Sequence, residues 1–366
     1  MKMVFISNYY NHHQKELCEN LNNELDGSFL FIETGKMTEE RIKLGWSAER
    51  NTSFVETYSQ SHSKIIEAAE IVIWGDAPFY TVKKRLFNNK LTFRYSERIF
   101  KEKPGIFRFY AHLFRAYYRY ERFSNLYLLC ASAFASFDYQ KLHCFKGKAY
   151  KWGYFPEFIE TNSIVSTTKS KIEIIWVGRL ISWKHPEMMI NIANRLIKKM
   201  DNFHISIVGI GDLYSSMQEH IKNDNLQEHV TLYGSLSPYD VRRKMCQADI
   251  FVSTSDQNEG WGAVVNEAMN SRCAVVVSDM VGSAPYLISD GNNGCLFNNL
   301  DENDLYTKLF DLITDDTKRE KYANNAYNSI EKCWNGRVAS QRLIELSAKL
   351  LAGEDTPFKE GPCSKA

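Results

Sequence analysis

The stretch from Ala248 to Asp279 narrows the fold more than any other part of the chain. Ala248 to Val252 is an apolar run that reads as a buried strand. A loop follows, carrying Glu259, Gly260, Trp261 and Gly262. Beyond it, Val264, Val265, Ala268 and Met269 recur at helical spacing and share one face. A second buried strand, Ala274 to Ser278, closes the unit. Strand, glycine loop, helix and strand in this order form one layer of a parallel α/β sheet.

The loop has a specific chemistry. Gly260 and Gly262 allow positive φ and a close approach of backbone to a ligand. The helix that starts after Gly262 offers unpaired N–H groups and a partial positive charge, which suits a diphosphate. Two acids bracket the place. Glu259 lies on the loop and can accept hydrogen bonds from sugar hydroxyls. Glu267 lies more than one turn into the helix and can grip a second hydroxyl pair, such as a ribose. Acids beside a phosphate site make sense when the ligand also carries hydroxyls, as a nucleotide sugar does. The alternative is a surface acid pair on an ordinary Rossmann-type layer.

The wording EGWGAVVNEAMNS, an E-x-W/F-G-x-x-x-x-E pattern followed by Ala-Met and a Val-Val strand, resembles the donor loop of family 4 of the retaining glycosyltransferases. Within that family it is similar to the bacterial branch that builds capsule and other surface polysaccharides. The resemblance is close over the C-terminal half and looser over the N-terminal half. It implies a GT-B fold: α/β, with two Rossmann-like domains facing a central cleft.

Composition sets the broad class. The chain has 366 residues, 44% hydrophobic and 24% charged, with a formal net charge of +1. That length accommodates two domains of common size. The near-neutral balance gives no global field to steer it to nucleic acid. The eight cysteines are scattered without C-x-x-C spacing, so neither a zinc site nor a redox dithiol is indicated. The N-terminus enters a short strand directly, and its apolar core is too short for a secretory leader. No apolar run approaches the roughly 20 residues of a membrane span. A cytoplasmic protein is expected, peripheral on the inner face of the cell membrane if it meets lipid.

Met3 to Ser7 reads as the first buried strand, followed by the loop NYYNHHQ and a helix from about Gln14. By the resemblance this loop faces the interdomain cleft. Many family members place glycines there, and this chain departs from that with aromatics and two histidines. His12 or His13 is a candidate contact to acceptor or donor phosphates; capping the helix is the alternative. Further strands are read at Phe29 to Glu33, Ile71 to Trp74, Leu91 to Tyr95 and Leu126 to Ala131. Ligands gather at the carboxyl ends of such strands. Arg94 and Glu97, in a YSER segment at one of them, are candidate acceptor contacts, with an intradomain ion pair as the alternative.

Residues 83–123 concentrate arginine, lysine and aromatic residues in an otherwise near-neutral chain. Basic and aromatic residues on one amphipathic surface suit an anionic membrane interface. Nucleic acid is one alternative, but no nucleic-acid-binding motif accompanies the segment; a plain solvated helix with buried aromatics is the other. No nucleic-acid partner is expected.

The second domain opens with Ile172 to Val177 and then GRLISWK. G-R-L-x-x-x-K resembles the family's diphosphate clamp. The resemblance implies that Arg179 and Lys184 neutralise the leaving diphosphate in place of a divalent metal, and there is no D-x-D motif. It also implies donor contacts at Gly178, Gly209 and Gly211, base-reading backbone at Gly234, Ser235 and Leu236, and further donor contacts at Gly260, Trp261, Gly262, Ala263, Val264 and Glu267. No cofactor and no metal ligands are expected.

Domains are expected at 1–165 and 170–334, with a linker at Glu160 to Ser170. A helix at about 335–352 is expected to pack back on the first domain, and 353–366 to be disordered. The resemblance implies transfer of a sugar from a nucleotide sugar, expected to be a UDP-sugar, to a saccharide acceptor on a lipid carrier. Retention of configuration would follow from front-side attack, the departing phosphate taking the proton of the acceptor hydroxyl. Arg179, Lys184 and Glu259 would be the catalytic groups. The alternatives are a non-catalytic GT-B binding subunit and a nucleotide-sugar epimerase on the same fold.

Overall fold

A computed structural model describes residues 1–39, 42, 52–101, 105–160 and 171–366. The chain divides into two compact units. Unit 1 comprises Met1–Glu157 and Cys333–Ala366, and unit 2 comprises Phe158–Lys332. Each is built on one parallel sheet.

In unit 1 the strands are β1 (Met3–Ser7), β2 (Phe29–Glu33), β3 (Val55–Thr57), β4 (Ile71–Trp74), β5 (Thr92–Ser96), β6 (Leu126–Cys130) and β7 (Ala149–Lys151), in the spatial order β3-β2-β1-β4-β5-β6-β7. Helix α1 (His12–Glu24) follows β1, with Asn11 as its N-cap accepting from the His13 amide. Strands β1 and β4 are buried along their whole length because both faces of a parallel sheet are covered. The order reverses between β1 and β4, so the loops after them leave in opposite directions.

Unit 2 holds β8 (Ile172–Val177), β9 (Phe203–Val208), β10 (Val230–Leu232), β11 (Ile250–Ser253), β12 (Ala274–Ser278) and β13 (Cys295–Phe297), in the order β10-β9-β8-β11-β12-β13. Its reversal lies between β8 and β11, which pair with Ile174 opposite Ile250 and Trp176 opposite Val252. Ile174 and Trp176 point into a core shared with Met189, Phe203, Ile205, Val252 and Leu309. The chain docks on unit 2 earlier than the composition suggested. Ile159 and Asn270 exchange two hydrogen bonds of 2.9 Å, and the Phe158 ring lies 5.6 Å from Tyr327. Most of the expected linker, 161–170, lies outside the described residues.

The last helix, α2 (Gly336–Leu351), lies in unit 1 against α1. Gly336 permits this packing: a Cβ there would stand 2.9 Å from the Leu17 amide nitrogen. The helical stretch from Glu302 to Leu351 is three helices, because Asp315 and Asn335 adopt extended, non-helical backbone between them.

The tail differs from expectation. Residues 353–366 have a disorder-prone composition, yet they pair antiparallel with the β7 edge. Lys151 donates to the Ser364 carbonyl at 2.7 Å, Cys363 donates to the Lys151 carbonyl at 2.8 Å, and Ala366 donates to the Ala149 carbonyl at 3.1 Å. Cys363 and Ser364 are fully buried. An edge strand presents unpaired N–H and C=O groups, and the tail satisfies them. Composition does not reveal this, because the pairing is with a strand some 200 residues away in sequence.

Among the described residues no helix is long and apolar enough to cross a membrane. Deleting residues 354–366 should lower the unfolding temperature by roughly 5 °C or more, since it uncovers the β7 edge and a buried side chain. Calorimetry of the truncated chain checks this; an unchanged transition would mean that the tail contributes no stability.

Candidate functional site

The carboxyl ends of β8, β9 and β10 are joined beyond the strands themselves. Gly178 donates to the Val208 carbonyl at 3.0 Å, Leu180 to the Ile210 carbonyl at 2.9 Å, and Gly209 to the Gly234 carbonyl at 2.8 Å. This closeness requires glycine. Gly209 has φ +141°, and a Cβ on it would lie 1.8 Å from the Gly178 carbonyl oxygen. A Cβ on Gly211 would lie 2.4 Å from the Leu180 carbonyl oxygen. The glycine turn after β9 therefore positions the backbone that carries Arg179.

From β8 the chain passes through a short 3-10 turn, Ser182–Lys184, and then His185 in left-handed conformation, φ +46°. Thr254, just after β11, clasps this turn. Its hydroxyl lies 2.6 Å from the Lys184 carbonyl and 3.0 Å from that of His185, and it accepts from the Trp176 indole at 2.9 Å. The Asp256 amide donates to the Trp183 carbonyl at 3.0 Å, and the Asp256 carboxylate meets the His185 ring at 3.2 Å. The loops after β8 and β11, which diverge at the reversal, are thus tied to each other.

The tie brings together two of the residues singled out in sequence. The Lys184 ammonium forms an ion pair with Glu259, and Ser255 donates to the same carboxylate oxygen at 3.1 Å. Both side chains are mostly shielded, at 12% and 15% exposure. An ammonium has three N–H donors. Lys184 can hold Glu259 and still donate to an incoming anion. Arg179 is exposed, with its guanidinium 5.8 Å from the centre of the Trp183 ring; Lys184 is 4.9 Å from the same ring. Trp183 therefore flanks both cations, and Ser255 fixes the acid. Neither stood out in the sequence. Their signal is position alone: Trp183 precedes Lys184, and Ser255 lies four residues before Glu259.

The glycine loop is narrower in its demands than expected. Gly262 is left-handed, φ +81°, whereas Gly260 is not among the glycines with positive φ. Gly262 caps the helix Ala263–Asn270, here α3, and no side chain caps that N-terminus. The first-turn N–H groups of Ala263 and Val264 thus have no side-chain acceptor at the cap. Trp261 is 1% exposed and its indole donates to Asn266 at 2.8 Å. Its side chain is part of the loop's core, so any contact it makes to a donor is through backbone. Glu267 is half-buried on α3, and its carbonyl accepts from Arg242 at 2.8 Å, which steadies the helix. Gly234 is left-handed with open space where a Cβ would be, next to exposed Ser235 and half-buried Leu236.

In unit 1, His12 and His13 open α1 at the end of β1. The His13 ring stacks on Tyr154 at 5.8 Å, and Tyr154 donates to Glu97 at 2.5 Å. Burial, and then the neighbouring His12, push the His13 imidazole well below the ordinary histidine value. Burial and the Glu97 carboxylate push the Tyr154 phenol well above its own. His13, Tyr154 and Glu97 thus form a cluster, to which sequence reasoning contributed the first and third. Arg94 is not part of it. Its guanidinium donates to the carbonyls of Trp74, at 3.1 Å, and Gly75, and lies 4.7 Å from the centre of the Trp74 ring. It ties β5 to the end of β4, and no ion pair between it and Glu97 is formed among the described residues.

Comparison with known proteins bears on both the family and the fold. Residues 159–329, just under half of the chain, match the family model described as glycosyl transferases group 1. Over 159 residues the chain is 31% identical to a Staphylococcus aureus poly(ribitol-phosphate) alpha-N-acetylglucosaminyltransferase, covering 43% of this chain and 31% of that protein. Over 154 residues it is 34% identical to a Campylobacter jejuni N-acetylgalactosamine-N,N'-diacetylbacillosaminyl-diphospho-undecaprenol 4-alpha-N-acetylgalactosaminyltransferase, covering 42% of this chain and 40% of that protein. The chain thus spans about a third to two fifths of these relatives' own length. Among solved structures, Anabaena HepE in complex with UDP superposes with a TM-score of 0.71 at 16% identity, over 96% of this chain and 100% of that one. That likeness is one of fold: the chain has the GT-B fold, with two Rossmann-like units.

The interlocked glycines make a measurable contrast. Gly209→Ala should destabilise unit 2 by about 2 kcal/mol or more, since its Cβ collides with backbone. Gly234→Ala meets no atom and should cost only about 1 kcal/mol for the left-handed conformation. Denaturant unfolding of both variants checks this, and equal losses would show that the close approach is not what Gly209 provides.

Proposed function

We propose that this protein is a retaining glycosyltransferase of family 4 that uses a UDP-sugar donor. The observation that carries the reading is the convergence of Arg179, Lys184, Glu259 and the uncapped α3 N-terminus at the β8/β11 reversal. Two cations and a helix N-terminus suit a diphosphate, and an acid fixed beside them suits sugar hydroxyls. The match of residues 159–329 to group 1 glycosyl transferases and the fold shared with UDP-bound HepE support the same assignment.

In this reading Arg179 and Lys184 stabilise charge on the departing diphosphate. Glu259, held by Lys184 and Ser255, orients the donor sugar, and Glu267 takes the ribose. Gly209, Gly211 and the Gly234–Leu236 backbone shape the nucleotide end. The acceptor hydroxyl attacks from the face the diphosphate leaves and gives it its proton, so no side-chain nucleophile is required and no metal takes part. The acceptor is a saccharide bound by unit 1, with His13, Tyr154 and Glu97 as its candidate contacts. We read it as lipid-linked, in bacterial surface polysaccharide synthesis such as capsule; the undecaprenol-linked acceptor in the Campylobacter relative's name supports this. The site of action is then the inner membrane face.

A thermal-shift screen of the purified chain against nucleotides and nucleotide sugars, with and without chelator, tests the donor. A ligand that binds only the folded state at 100 times its Kd stabilises it by about 2.7 kcal/mol. A shift with UDP or one UDP-sugar, unchanged by chelator, is expected, and Arg179→Ala should weaken it about tenfold by losing a charge-assisted contact. Glu259→Ala and Lys184→Ala should abolish transfer with the fold intact. A fully active double variant would reject these roles, and no shift with any nucleotide would favour a non-catalytic binding subunit.

A further inference from the structure

Helix α4 (Ile106–Ala116) carries two apolar faces where one would suffice. Phe109, Leu113 and Ala116 pack on the core of unit 1. Ile106, Phe107, Tyr110, Phe114 and Tyr117 do not. Phe107 is 93% exposed, Phe114 76% and Ile106 74%, with both tyrosines above 60%. Their spacing sets them along one side of the helix and its continuation, the π-helical turn Tyr117–Glu121. Part of this face borders an open groove of about 440 Å³ that reaches Leu142 and His143. Single exposed apolar residues are ordinary, but a contiguous aromatic face is not.

The charge around this face is one-sided. Residues 105–123 carry Arg108, Arg115, Arg119 and Arg122 against Glu121 alone, in a chain whose net charge is +1. Arg122 lies over the rings of Phe87 and Tyr118, at 4.7 and 5.4 Å, and Arg119 over Phe79 at 5.6 Å. These contacts hold cations at the border of the aromatic surface. The remaining basic residues of the wider segment are not equivalent. Arg85 is 1% exposed and spends its guanidinium on the carbonyls of Ile66, Ala69, Glu70 and Leu91, and Arg94 is engaged on Trp74.

We propose that the α4 face is a peripheral docking surface for an anionic lipid bilayer, with Ile106, Phe107, Tyr110, Phe114 and Tyr117 entering the interface and the arginines meeting lipid headgroups. Charge decides the occupant. A second copy of the chain placed symmetrically here would oppose two patches of the same sign. A bilayer supplies apolar depth and negative charge together. The inference does not rest on sugar transfer, and it is tested without nucleotide.

Flotation of the whole chain with phosphatidylglycerol vesicles at low salt should carry the protein upward. Phosphatidylcholine vesicles should not, and binding should fall steeply as salt is raised. Phe107→Ser with Phe114→Ser should weaken binding about tenfold or more while leaving the unfolding temperature unchanged, because both rings are exposed. Arg108→Ala with Arg115→Ala should weaken binding to the anionic vesicles by about tenfold. Failure of the wild type to float, or equal flotation of the serine variant, would overturn the proposal. So would a concentration-dependent dimer or oligonucleotide binding that the serine variant loses while vesicles are ignored. Nucleotide thermal shifts of the serine variant should match wild type, which separates this outcome from that of the donor site.

Discussion

Unit 2 depends on the parallel pairing of β8 with β11. The two strands come from positions some 75 residues apart, and their carboxyl ends emerge side by side while the chain beyond each runs to opposite sides of the sheet. That divergence leaves the backbone ends of two loops facing one space. Everything proposed to touch the donor is built on those loops, on the turns beside them or, for Glu267, on α3. Thr254 and Asp256 fasten the second loop to the first, and Lys184 and Glu259 complete the fastening with opposite charges. The pairing has a second effect. An acid held in place by a lysine and a serine has less freedom to lose when a ligand arrives.

Close packing of backbone against backbone is the other recurring device. Gly209 and Gly211 let the β9 turn lie on the β8 turn, and Gly336 lets the last helix lie on α1. In each case the missing side chain is what sets the distance. Gly262 has a different purpose: it takes a left-handed conformation to start α3 directly beneath the acid loop. Glycine thus serves two physical ends in one molecule, and the sequence marks both with the same letter.

Unit 1 separates its charged residues by function in a way that composition blurs. Arg85 and Arg94 hold the fold together, each donating to backbone carbonyl oxygens of neighbouring elements. The arginines of 108–122 remain at the surface among exposed rings. Glu97 is drawn into a cluster with Tyr154 and His13, where burial disfavours the charged forms of both partners.

Most of the longer strands were legible in the sequence because a parallel sheet buries both faces, so they are rich in apolar residues. Met3–Ser7, Phe29–Glu33, Ile71–Trp74, Ile172–Val177 and Ala274–Ser278 can be read off directly. The loops that follow them, with Arg179, Lys184 and Glu259, were legible for the same reason. The short edge strands β3 and β7 were not, since three residues carry too little pattern. Nor could the sequence show that Trp261 is core, that Arg94 is spent on Trp74, or that 353–366 completes the β7 edge. Those facts depend on which distant segments become neighbours. Local sequence determines whether a residue is buried along its own strand or helix; only the tertiary structure decides what it is buried against.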